Sequence, residues 1–96
     1  MRIEVRVQGG VAGNVRRPPV VLETTELEPG TASELEELAA GLPAGGAPPA
    51  RGADLMRYEV IVEDASGHRT AAYHEPDVPA EVRALLRLAR EAGRGP

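Results

Sequence analysis

Residues 55–64, LMRYEVIVED, carry the clearest strand pattern in the chain, and the fold follows from how they are read. Met56, Tyr58, Val60 and Val62 alternate with Arg57, Glu59, Ile61 and Glu63, the two-residue period of a pleated strand. Ile61 interrupts the polar side, so the strand is locally apolar on both faces, as expected inside a sheet rather than at its edge. Downstream, Asp64-Ala-Ser-Gly-His68 reads as a hairpin turn and HRTAAYHE (68–75) as a less apolar returning strand. Upstream, residues 2–8 put Ile3, Val5 and Val7 on one face and Arg2, Glu4, Arg6 and Gln8 on the other. VRRPPVVLETT (15–25) resumes extended structure. Pro18 and Pro19 cannot donate ladder hydrogen bonds, so this strand is expected at an edge or broken there, with pairing restarting near Val20.

Two segments have the helical period. Thr31 and Glu34 have capping-box spacing after the Pro29-Gly30 turn, and Leu35, Leu38, Ala39 and Leu42 form one apolar stripe that ends at Gly41 and Pro43. In DVPAEVRALLRLAREAG (77–93), Asp77 or Val78 is expected as cap, with Pro79 in the first turn, Val82, Leu85, Leu86 and Ala89 on the apolar face, and Gly93 as terminator. Between the first helix and the central strand, the Gly/Pro/Ala segment 43–53 lacks large apolar residues and is expected to be a flexible loop. The order ββαββα predicts a single small α+β domain over residues 1–96, a four-stranded, largely antiparallel sheet with two helices on one face. Strand order does not follow from these patterns.

Composition narrows the function. The chain has no cysteine, which excludes disulfides, thiolate metal sites and a cysteine nucleophile. Its net charge is −4, and every basic residue is arginine, without the basic patch and interleaved aromatics of a nucleic-acid binder. The start alternates charged and apolar residues instead of showing a signal peptide, and no run approaches the ~20 apolar residues of a membrane span. A cytoplasmic monomer is therefore expected, with leaderless export left open. His68 and His74 share a strand face but stand about 20 Å apart at ~3.3 Å per residue, too far to chelate one ion. Ser33 lies beside a helix start and Ser66 in a turn, neither in a nucleophile elbow. The carboxylates of ELEEL (34–38) lie on the solvated side of a helix. No catalytic residue, metal ligand or cofactor is expected, and binding through surface shape becomes the leading class.

One stretch resists a bland reading. GGVAGNVRR (9–17) is longer and more apolar than an ordinary hairpin turn. It lacks the Lys-Ser/Thr of a phosphate-binding loop, and a strand follows it instead of a helix N-terminus. Its glycines either supply positive φ for a wide hairpin or serve a projecting tip that carries Val11, with Arg16 and Arg17 beside it. The two arginines otherwise read as a charged edge that discourages strand-to-strand aggregation.

Over nearly its whole length the sequence resembles the emfourin-like protealysin inhibitors, small proteins that inhibit thermolysin-like zinc metallopeptidases. The resemblance rests on MRIEVRVQGGVAGNVRR at the start, LEELAAGLPA in the middle, and DLMRYEVIVEDASGHRTAAYHEPDVPAEVRALL later. Family members read Gly-Gly-Phe-Ala-Gly and then Arg-Arg at the corner; here Val11 stands at the phenylalanine position. The aromatic residues often found after the family's first helix are absent, and Pro18-Pro19 interrupts the second strand. The resemblance implies a protein inhibitor of a thermolysin-like (protealysin-like) metallopeptidase, with Gly9, Gly10, Val11, Ala12, Gly13, Asn14, Arg16 and Arg17 as the partner-binding residues. A non-catalytic adaptor of the same fold that binds another protein is the alternative.

Overall fold

The computed structural model describes residues 1–9, 15, 16, 18–44, 56–75 and 77–93. Five strand segments and two helices follow one another as β1 (Arg2–Gly9), β2 (Val15–Arg16), β3 (Val20–Glu23), α1 (Pro29–Ala40), β4 (Arg57–Asp64), β5 (Gly67–His74) and α2 (Ala80–Gly93). All pairings are antiparallel. β2 and β3 lie along one side of β1, β4 along the other, and β5 pairs with β4. β2 and β3 are one strand position interrupted at the proline pair, so the sheet has four positions. Pairing restarts at Val20, opposite Val5, as the two missing N–H donors require.

The alternation read from the sequence sets the two faces. Ile3, Val5, Leu22, Val60, Val62 and Tyr73 are buried on one of them, and Leu35, Ala39, Val82, Leu85 and Ala89 from the two helices close the same core. β4 lies between β1 and β5, as its two-sided apolarity predicts. On the opposite, open face Ile61 is half-buried and Val21 is exposed among charges, with Arg2 paired to Glu63, Arg6 to Glu4 and Glu59, and Arg57 to Glu59. These are surface pairs of small individual weight. They give this face of the sheet a charged surface.

Three local expectations are corrected. α1 begins at Pro29, two residues before Thr31, and its N-cap Glu28 makes no side-chain capping bond, so the Thr31–Glu34 capping box does not form. Pro29 explains the earlier start: its fixed φ suits the first helical position, and its missing N–H costs nothing there. The N–H of Ala32 already bonds to the Glu28 carbonyl at 2.8 Å. At α2 the first helical residue is Ala80, and Arg83 N–H bonds to the Pro79 carbonyl at 3.0 Å, so Pro79 occupies the cap in place of Asp77 or Val78. The central strand starts at Arg57 instead of Met56, whose N–H and carbonyl are both used by Glu75.

Long-range polar contacts tie the layers together. Buried Thr24, in a 3-10 turn after β3, donates its hydroxyl to Glu36 of α1 at 2.5 Å. Arg69 of β5 donates to the Ala39 carbonyl at the C-terminal end of α1, where a cation also meets the helix dipole. Tyr73, 2% exposed, donates its hydroxyl to the Pro43 carbonyl at 2.6 Å. The first residue of the Gly/Pro/Ala segment is thus tied to the core through its carbonyl. Residues 45–53 of that loop lie outside the described residues.

Candidate functional site

The corner that the sequence singles out is the connection of a β-hairpin. β1 runs to Gly9, whose Cα pairs with that of Val15, and Gln8 pairs with Arg16 on the preceding rung. Gly9 is buried and has φ of 129°, a conformation that side chains with a Cβ resist. This accounts for one glycine of the pair in physical terms. The structure brings Gly9 and Arg16 onto adjacent rungs of one ladder, which fixes both ends of residues 10–14. Gly10, Val11, Ala12, Gly13, Asn14 and Arg17 lie outside the described residues.

The base of this hairpin adjoins a groove that the sequence reading missed. Val7, two residues before Gly9, pairs with Tyr58, and Tyr58 pairs with Tyr73. Beneath them α2 crosses the helix-covered face. A narrow cleft of about 60 Å³ separates Val7 and Pro18, one from each arm of the hairpin, from Leu86 and Arg90 of α2. Leu86 and Arg90 also line a larger groove of about 510 Å³ that reaches Tyr58, with Val78 in its floor and Arg83 and Arg87 on its wall. Glu75 anchors this end, because its carboxylate accepts the Met56 N–H at 3.2 Å and the Tyr58 hydroxyl at 3.5 Å. The arginine spacing of i, i+4, i+7 along α2 was visible in the sequence, but on an amphipathic helix it reads as a solvated face.

The two histidines among the described residues lie apart from one another. His68 and His74 sit at opposite ends of β5; His68 is exposed, and the buried Nδ1 of His74 has no hydrogen-bond partner among the described residues. No group of three or more acidic or histidine side chains there could hold a metal ion. The Asp64 carboxyl is held below its ordinary range by the Ser66 hydroxyl and then by the Ser66 N–H, the bonds of a tight turn. Glu4, by hydrogen bond and charge, raises the pKa of Arg6. No helix among the described residues is long and apolar enough to cross a membrane.

Fold and site together define a small α+β domain that offers a sheet-anchored hairpin loop beside an arginine-lined groove. The chain belongs to the Emfourin family, whose sequence model matches residues 5–90 of the 96. Membership implies the general role of protease inhibitor. No curated protein and no solved structure matches the chain.

Proposed function

We propose that this protein inhibits a thermolysin-like zinc metallopeptidase by seating residues 9–17 in its active-site cleft. The observation that carries the reading is the Gly9–Val15 rung, which with the Gln8–Arg16 rung holds both ends of the connecting loop to a sheet. A segment whose two ends are fixed loses less conformational entropy on docking than a free peptide does, and that favours affinity. In this mechanism the loop backbone mimics an extended substrate. Gly9, buried in the ladder, turns the chain into the loop with its positive φ, Gly10 lets the backbone approach closely, Val11 fills an apolar pocket, and Ala12 and Gly13 keep the tip slim. Arg16 and Arg17 meet acidic groups at the rim of the cleft.

Adding the purified protein to a thermolysin-like peptidase and following peptide hydrolysis tests the proposal. The expected result is inhibition that a small ligand of the peptidase cleft relieves competitively. Full activity at a large molar excess of the protein would refute it and favour a non-protease partner.

A further inference from the structure

The geometry points to a second contact for the same peptidase: the groove between α2 and the start of β4 takes an acidic segment of the enzyme that carries one bulky apolar side chain. This rests on the inhibitor reading. Three observations support it.

The first is continuity. Val7 and Pro18 flank the hairpin base and share a cleft with Leu86 and Arg90, which also line the groove, so an enzyme engaging the loop has the groove beside it. The second is charge. Arg83, Arg87 and Arg90 face two carboxylates, and one of these, Glu75, already accepts two hydrogen bonds. Among the described residues neither Arg87 nor Arg90 has an ion-pair partner, although carboxylates outnumber arginines in the chain. Within α2, Arg90 meets the C-terminal end of the helix dipole and Arg87 stands one turn before Glu91, but Arg83 and Arg87 repel at i, i+4, so the helix itself gains little from gathering all three arginines on this side. Guanidinium groups bind carboxylates with two parallel bonds, which suits an acidic partner better than an apolar one. The third is shape. Tyr58, Val78 and Leu86 give the groove an apolar floor, and its 510 Å³ is room for one large side chain and its neighbours.

The test compares two double variants against a thermolysin-like peptidase. Arg87→Ala/Arg90→Ala removes two charges at the groove. Arg2→Ala/Arg6→Ala removes two from the open sheet face, where both are in surface pairs. Arg83 is spared because its Nε holds the Val78 carbonyl at 3.1 Å. With unchanged melting, the groove variant is expected to inhibit about tenfold more weakly and to associate with less dependence on salt, and the open-face variant to stay within about twofold of the parent. Protection of Arg87 and Arg90 from a dicarbonyl arginine reagent in the parent complex is the expected companion result. If the parent inhibits and the two variants behave alike, with no protection, the groove contact is wrong while the inhibitor reading stands. If the parent does not inhibit, both fall.

Discussion

Gly93 is the last residue of α2, and a Cβ built on it would stand 2.8 Å from Cγ1 of Val20 in β3 and 3.8 Å from Cδ2 of Leu22. The first distance is about 0.6 Å short of ordinary carbon contact. Val20 cannot easily yield, because a β-branched side chain has one rotatable bond and few permitted rotamers. Replacing Gly93 by alanine sets two effects against each other. Alanine gains at most ~1 kcal/mol of helix propensity over glycine, and less at a terminal position. Forcing an extra carbon into a filled contact costs about 1–3 kcal/mol. Overpacking therefore wins, and Gly93→Ala should destabilise by ~1–2 kcal/mol, lowering the thermal midpoint by roughly 5–10 °C in a domain of this size. The clash has a named partner, so a double-mutant cycle with Val20→Ala isolates it. The double variant should recover at least ~0.5 kcal/mol relative to the sum of the single changes. Thermal and urea unfolding of the four proteins supply the numbers. If Gly93→Ala raises the midpoint, or the cycle shows no coupling, α2 does not press on β3 as described.

Further outcomes concern the core, the buried tyrosine and the long connection. Leu85→Ala and Val60→Ala, both at fully buried positions, should cost on the order of 1–5 kcal/mol each in denaturant unfolding. Burial raises the Tyr73 phenol above its ordinary pKa of 10.0, and Arg69 opposes this only in part. The neutral phenol is favoured in the folded state, so this stabilisation is complete below the unfolded value and is lost as pH rises through the higher folded one. Absorbance titration should show a late tyrosinate step that Tyr73→Phe removes. Shortening the connection within residues 45–53 should move the thermal midpoint by no more than about 3 °C, since closure entropy changes slowly with length. Deleting Pro43 as well should cost a further ~1–3 kcal/mol, because the buried Tyr73 hydroxyl loses its acceptor.

Most of the fold was legible because it depends on local periodicity. β1 alternates strictly and β4 does so except at Ile61, both against a one-sided core, and the break at Pro18-Pro19 follows from two absent donors. Strand order was not legible, since pairing β1 with β4 joins distant residues, from Gln8 with Arg57 to Arg2 with Glu63, that no turn connects. The contacts of Arg69 with Ala39, Tyr73 with Pro43 and Gly93 with Val20 were hidden for the same reason. Sequence alone marks Gly93 as a helix terminator, and only tertiary packing adds the close approach. The start of α1 was misread because two local signals overlapped, and Pro29 prevailed over Thr31. At the site, the glycine pair announced a backbone requirement that Gly9 fulfils with its positive φ. The groove stayed invisible, because its wall and floor come from α2, β4 and the link between β5 and α2.

The account turns on Val11, and the inhibition constant of Val11→Asp against a thermolysin-like peptidase, measured beside the parent and with unfolding followed on the same samples, tests it most directly. An aspartate placed in an apolar pocket loses hydration without gaining a partner, which should weaken inhibition by about 3 kcal/mol or more, over a hundredfold. On this account the fold survives, because a side chain that anchors the partner contributes to binding and not to the core. Val11→Phe, the family's residue at this position, should inhibit at least as well as the parent. A folded Val11→Asp variant that inhibits like the parent would contradict the account and move the interface away from the hairpin loop, and one that fails to fold would show that Val11 belongs to the core.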